Sequence, residues 1–357
     1  MLNIGIIHGF VGGGGGTEKT LHAILDALEK TEHTVTLYTF SKPKISSKKI
    51  KIKSSLPISI PTIGLYQRTM ESKLISKAKN EDILIQASGG LNIPQNKNQK
   101  IIVYCHSNFS NELENSSTKY KGIWSLYYKP YYNMVKKFIE NIQDSRIHLI
   151  SNSKYVHDSI KTKFGKNSKI IYPPVNLREF SSGNKKDGIV TVARFSEEKN
   201  LNFGIDVMKE IDCKYDIIGN TKTKSNILYY RKLESKIKKE NLTKIHLLKN
   251  LERHKLVDVV NSAKVYFHCS RETFGISIIE SIAAGCIPVV PDVSGHKETV
   301  PYDDLRYLEN NIVDAREKIV KVLNGSFDNL KEPLANLIKK YDRQEFIKNM
   351  IHYIEIL

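Results

Sequence analysis

Arg194 and Lys199 stand five residues apart in "VARFSEEKN", directly after a run that reads as a strand. Two fixed cations at a strand end suit a diphosphate, because they neutralise charge as it builds on a leaving group. The same spacing also fits an ordinary solvated face. Glu272 and Glu280 lie eight residues apart in "SRETFGISIIESIAAGCIPVV". Glu272 reads as the end of a strand, and Thr273, Phe274 and Gly275 as a turn. Gly275 there lets the backbone approach a ligand closely. Residues 276–284 read as a helix whose N-terminus can face an anion. Glu280 falls about one turn along it, two turns' worth of residues after Glu272. One acid of the pair suits sugar hydroxyls and the other a ribose, although Glu280 equally reads as a surface residue of the helix.

A third stretch, "HGFVGGGGGTEKTLHAIL", starts at His8 and holds five consecutive glycines, Gly12 to Gly16. It follows a strand pattern and precedes a helix pattern, so its amides and the helix start can cradle phosphate. "GGGGTEKT" comes within one residue of the P-loop G-x-x-x-x-G-K-[ST], with Glu18 where the second glycine belongs. No G-x-G-x-x-G with a ribose-binding acid fits either. The bland alternative is a flexible turn. Five glycines in a row are costly in backbone entropy, which favours a functional reason. Glu18 then reads as an acid in the first helical turn, where it complements the helix dipole.

The elements that must position these residues alternate strand with helix. "LNIGIIHGF", 34–40, 82–88, 100–107 and 146–153 read as strands in the first half. Leu21, Ile24, Leu25 and Leu28 follow helical spacing after the glycines. "YPPVNLREFSSGNKKDG", from Tyr172, breaks the pattern as a linker. Strands at 188–195, 215–220, 244–250, 263–270 and 286–292 follow, with helices at 225–240 and 252–262 between them. The last stretch, 335–357, reads as one amphipathic helix. The expected fold is α/β, two doubly wound parallel sheets, with ligands outside the carboxyl ends of the strands. At 357 residues the chain is too long for one ordinary core.

Composition narrows the classes further. The longest apolar run, near Ile282 to Pro291, falls far short of the ~20 residues of a membrane helix. The start has no basic n-region and reads as a buried strand, so a cytosolic protein is expected. Cys105, Cys213, Cys269 and Cys286 form no C-x-x-C pair and read as reduced, small hydrophobes. The formal net charge of +17 is uneven. Residues 1–180 hold 26 Lys and Arg against 13 Asp and Glu, a net +13; residues 181–357 hold 29 against 25, a net +4. Such an excess suits either a polyanion or anionic membrane partner, or solubility alone.

Together, the E-x7-E element with its Phe-Gly, the following "AAGCIPVV", and "VARFSEEKN" resemble the signature of retaining glycosyltransferases with the GT-B fold, in family four of the glycosyltransferase classification. The resemblance runs over nearly the whole chain. It implies an N-terminal Rossmann-like acceptor domain, 1–178, with the C-terminal helix 341–357 packing back on it, and a donor domain, 185–340. It implies a nucleotide-sugar co-substrate and neither cofactor nor metal. Arg194 and Lys199 would hold the donor diphosphate, and Glu272 hydroxyls of the transferred sugar. The amides of Phe274, Gly275 and Ile276 would help hold sugar and phosphate, and Glu280 the ribose. Gly14, Gly15 and Gly16 would close over the phosphates from the opposite domain. Asn250 and Leu251 would lie near the nucleobase, Gly295 on a loop near the donor, and His106, in "VYCHSNFS", beside the sugar's reacting centre. The implied catalytic group is His106, Glu272, Arg194 and Lys199.

"GGGGGTEKTL" and the late "IIYPPVNLREF" look most like one branch of that family, the α-1,2-mannosyltransferases acting on dolichol-linked oligosaccharide. That branch carries His-Tyr-Pro where this chain reads His106, Ser107, Asn108. The implied reaction moves a hexose, mannose from GDP-mannose, to a lipid-linked glycan. A UDP-sugar and a polysaccharide or lipopolysaccharide precursor form the alternative, and a non-catalytic nucleotide-sugar or nucleic-acid binder the third. Segment 119–138 interleaves Trp124, Tyr127, Tyr128, Tyr131 and Tyr132 with five lysines, Lys129 among them. Such a mixture suits the interface of an anionic bilayer, which would put the protein peripherally on the inner face. It also suits an ordinary helix pair with solvated lysines. No RNA-binding motif accompanies it.

Overall fold

The computed structural model describes residues 1–9, 11, 15–40, 43, 45, 47, 49–55, 64–89, 93, 96–107, 123–183 and 188–357, with backbone alone at 64–70, 123–125, 127, 128 and 131. The chain divides into two compact units, Met1–Pro174 with Gln344–Leu357, and Val175–Arg343.

In the first unit the elements run β1 (Asn3–Ile7), α1 (Gly16–Glu29), β2 (Thr34–Thr39), β3 (Ile50–Ser54), α2 (Gly64–Lys77), β4 (Ile83–Gln86), β5 (Lys100–Cys105), α3 (Ile123–Glu140), β6 (Ile147–Ser151), α4 (Lys154–Phe164) and β7 (Lys169–Ile170). The strands form one seven-stranded parallel sheet in the order β3-β2-β1-β4-β5-β6-β7. Helices cover both faces, so the inner strands are apolar on both sides. Ile4, Ile6, Ile83, Ile85 and Ile102 are accordingly buried. Helix α1 turns Leu21, Ile24, Leu25 and Leu28 onto the same core. Helix α3 buries Val135 and Phe138 with Ile142 on the other side, a one-helix solution where a helix pair was also conceivable.

The second unit runs β8 (Ile189–Val192), α5 (Leu201–Met208), β9 (Tyr215–Gly219), α6 (Lys224–Lys239), β10 (Ile245–Lys249), α7 (Arg253–Ser262), β11 (Val265–Phe267), α8 (Ile276–Ala283), β12 (Ile287–Pro291), α9 (His296–Thr299), β13 (Arg306–Tyr307), α10 (Ile312–Leu323) and α11 (Lys331–Leu337). Its six-stranded sheet has the order β10-β9-β8-β11-β12-β13, again parallel. Each unit is thus doubly wound, as expected. The order reverses between β1 and β4 in one and between β8 and β11 in the other, the place where such sheets bind ligands.

Three strands escaped the sequence reading. β7 and β13 are two residues long, and β3 is a half-exposed edge strand with lysines at alternate positions. The single helix expected over 335–357 is broken. Helix α11 ends at Leu337, a 3₁₀ turn follows, and α12 spans Arg343–Glu355. The break has a backbone cause: Val175 N–H donates to Tyr341 O, and Arg343 N–H donates to Val175 O, so these groups pair across the chain rather than along a helix. Beyond it, α12 buries Phe346, Ile347, Met350 and Ile354 in the α1 core. Met350→Ala is expected to cost roughly 2–5 kcal/mol, read as an earlier urea transition; an unchanged midpoint would detach α12 from that core.

Candidate functional site

Two loops meet at the carboxyl edge of the second sheet, one after β8 and one after β11. The β8 loop is anchored by Phe195, which is fully buried. It lies close over the end of β9: a Cβ on Gly219 would stand 2.2 Å from Ala193 O. A 3₁₀ turn, Glu197–Lys199, then ends at Asn200 in the left-handed region, φ 50°. That turn delivers Lys199 inward, where its Nζ donates to Glu272 Oε1 at 2.5 Å. Lys199 keeps 16% of its side-chain surface exposed and Glu272 27%, so the pair is accessible. Arg194 instead remains on the surface, pairing with Glu198 at 3.2 Å.

Glu272 does not end a strand, contrary to the sequence reading. Pairing of β11 stops at Phe267, and His268 N–H still donates to Val289 O before the chain leaves the sheet. Glu272 sits in the loop that follows, fixed by its own carbonyl, which accepts from Gly295 N–H at 2.9 Å. A Cβ on Gly295 would lie 2.2 Å from Thr273 O, so only glycine lets the β12 loop lie this close. Phe274 is buried edge-on against Tyr341, and Gly275, φ 89°, reverses the chain into α8. Ile276, half-buried, is the first residue of α8, whose N-terminus therefore opens beside Glu272.

Two histidines that sequence reasoning missed lie beneath. His268 is 2% exposed, its Nε2 3.8 Å from Glu272 Oε1. Its Nδ1 is 3.2 Å from Tyr266 Oη, and Tyr266 in turn donates to Ser277 Oγ at 2.8 Å. His296 is fully buried; its ring meets that of His268 edge-on, and its Nδ1–H donates to Pro291 O at 2.9 Å. Burial pushes the pKa of His296 down from 6.5 to about 4. Burial, then His296 and Lys199, push His268 well below the ordinary range. Both rings are therefore neutral near pH 7. "FHCS" and "SGHKE" gave no cue, since a lone histidine near a strand end is most often packing.

Glu280 is no surface residue. It is 6% exposed, and its Oε1 accepts from Arg253 at 2.8 Å. Asn250 is exposed, φ 55°, and its side chain ties to Thr221 through both Oδ1 and Nδ2. Half-buried Leu251 follows it, directly ahead of α7.

In the first unit, His106 follows β5 and contacts Ala87 O through Nε2 at 2.8 Å. A carbonyl only accepts, so Nε2 carries the proton. Gly15 caps α1 in extended conformation and, like Gly16, is exposed; Glu18 does lie in the first helical turn. Gly14 lies outside the described residues. Trp124, Tyr127 and Tyr128 fall on α3 with their side chains outside the description, while Lys129 is exposed. Among the described residues there is no helix long and apolar enough to cross a membrane, and no group of three or more His, Cys, Asp or Glu that could hold a metal.

Residues 14–179 match the family described as Glycosyltransferase Family 4, and residues 176–344 the family described as Glycosyl transferases group 1. A GDP-Man:Man(3)GlcNAc(2)-PP-Dol alpha-1,2-mannosyltransferase of Dictyostelium discoideum is 24% identical over 277 residues, 70% of this chain and 54% of that protein. The chain spans about half the length of the curated relatives it matches. Among solved structures, sucrose-phosphate synthase from Thermosynechococcus elongatus superposes with a TM-score of 0.80 at 14% identity, covering 99% of this chain and 98% of that one. HepE of Anabaena, solved with UDP and glucose, gives 0.72 at 12% identity over the full length of both chains. At such identities the likeness concerns the fold.

The buried histidines predict a pH response. A neutral ring whose folded pKa lies below its unfolded one stabilises the fold above about pH 6.5, and that contribution is lost as pH falls toward about 4. For His296 it amounts to about 3 kcal/mol. Thermal melts from pH 7 to 4 should show this fall, and His296→Gln should flatten it. Equal slopes in both proteins would contradict the assignment.

Proposed function

The chain belongs to the glycosyltransferases of group 1 and family 4, and on that premise we propose that it transfers a hexose from a nucleotide sugar to a glycan hydroxyl, with retention at the anomeric carbon. The observation that carries this reading is the accessible Lys199–Glu272 pair beside the N-terminus of α8. In this proposal Lys199 and Arg194 meet the diphosphate. An ammonium has three N–H donors, so Lys199 can hold Glu272 and still reach phosphate oxygens. Glu272 accepts from hydroxyls of the sugar, and the first amides of α8, with those of Phe274 and Gly275, face the charge that builds on the leaving group. Glu280 serves the nucleotide ribose, and Asn250 and Leu251 border the base. The acceptor hydroxyl attacks the face from which the diphosphate departs. The carbon–oxygen bond to phosphate breaks as the new glycosidic bond forms, and the departing phosphate takes the hydroxyl proton. The residues act mainly by holding reactants and stabilising departing charge.

Similarity to the Dictyostelium enzyme supports GDP-mannose as donor and a lipid-linked glycan as acceptor. The likeness to HepE supports a UDP-sugar as the alternative. A panel of nucleotide sugars should decide, read as thermal shift and as donor turnover. Lys199→Ala and Glu272→Ala should each lower turnover by about 10²-fold or more, the scale for removing one transition-state donor. Wild-type rates in both variants would reject the site, whereas no turnover of any donor by the unaltered protein would leave a non-catalytic binder.

We further propose a peripheral site at the inner face of an anionic membrane. Helix α3 exposes Leu126 and Tyr132 beside Lys129, Lys136 and Lys137, an amphipathic mix suited to an interface. Vesicles rich in phosphatidylserine should sediment the protein at low salt and release it at high salt. No sedimentation at low salt would end this part of the proposal.

A further inference from the structure

Glu280 lies in the interior of α8 and is 6% exposed, so its carboxylate needs a partner within the fold. Arg253, the first residue of α7, supplies it, with Nη2 2.8 Å from Glu280 Oε1. The same guanidinium grips Glu179 in a fork, Nε to Oε1 at 2.8 Å and Nη2 to Oε2 at 2.7 Å. It also lies over the Phe180 ring, 5.2 Å from the centroid. Glu179 closes the 3₁₀ turn Leu177–Glu179, so a segment near the start of this unit holds the arginine from one side. A planar fork stacked on a ring and shared between two acids has little freedom to turn. Arg253 thus holds one oxygen of the Glu280 carboxylate, and Glu179 and Phe180 in turn hold Arg253.

We propose that Arg253 is the positioning residue that aims the Glu280 carboxylate at the hydroxyls of the nucleotide ribose. The inference rests on the nucleotide-sugar reading of this unit. It gives Arg253 a role that sequence spacing hides, because "NLERHKLVD" carries no recognisable ligand pattern. It also separates two kinds of contribution. Lys199 and Glu272 face the reacting end of the donor, whereas Arg253 acts only through Glu280 and only on nucleotides that carry the ribose hydroxyl. A lysine at this place would keep the charge but, as a point donor, would lose the fork that grips Glu179.

The test is calorimetric binding of GDP and UDP, each against its 2′-deoxy form, to the full chain. The wild type is expected to bind a ribonucleotide about tenfold or more tighter than its deoxy counterpart, the worth of a hydrogen bond to a charged group. In Arg253→Ala that ratio should collapse toward one, through weaker ribonucleotide binding and little change for the deoxy form. Arg253→Lys should fall between the two. A merely structural role would weaken both ligands alike and leave the ratio as it was, which would overturn the inference. If Arg253→Ala does not fold, Arg253→Lys decides, and a wild-type ratio there overturns it equally. A wild type that binds neither diphosphate overturns the nucleotide-sugar reading and this inference with it. A wild type that discriminates while both variants do so equally well overturns the role of Arg253 alone.

Discussion

The contact between Lys199 and Glu272 joins the two loops that leave the second sheet at its switch point. Each loop reaches the contact through a different backbone device. The β8 loop turns at Asn200 and rests on Gly219, where any side chain would collide with Ala193. The β11 loop is pinned by the Gly295 N–H bond to Glu272 O and released into α8 through left-handed Gly275. A cation and an anion half-exposed at 2.5 Å would contribute little if both side chains were free to move. Here both side chains are partly buried, so the pair is screened less than a surface pair and can mark one place with one polarity. The rest of the site takes its bearings from that place.

Neutral histidines make sense beside such a pair. Were His268 protonated, Glu272 would face a second cation from below, and Lys199 would compete with it for the same oxygen. Burial removes that competition by holding His268 uncharged. The cost is carried by the fold, since a ring sealed against protonation disfavours the native state in acid. Site polarity and acid stability are thus two consequences of one burial.

The sequence made legible what depends on local spacing and left obscure what depends on packing. Alternating apolar runs and the linker at Tyr172 foretold two doubly wound sheets, because parallel strands buried on both faces have few other ways to be written. Lys199, Glu272 and Gly275 could be picked because they follow strands and flank a helix start. Glu280 stands out by its spacing, but its burial does not, since the partner that draws it inward sits on another helix. His268 and His296 gave no signal because neutrality is a property of what surrounds a ring. The break before α12 was equally hidden: its cause, Val175, is over 160 residues away in the chain.

The charge asymmetry has more than one physical origin. In the second unit, arginines are absorbed by structure: Arg253 by Glu179 and Glu280, Arg271 by Glu309, Arg306 by Asp292, Arg316 by Glu210. Residues 181–357 come nearer neutrality through more acids, 25 against 13 in residues 1–180, rather than through a lack of cations. In the first unit, Lys51 and Lys53 alternate with Ile50 and Ile52 on β3, at the open edge of the sheet. Lysines on an edge strand oppose pairing with another chain, so this part of the excess needs no partner. The lysines of α3 stand apart from that edge in kind. They accompany exposed Leu126 and Tyr132 on a helix whose inward face is already satisfied by Val135 and Phe138. On the membrane reading proposed above, these lysines are the part of the basic excess that would meet an anionic surface.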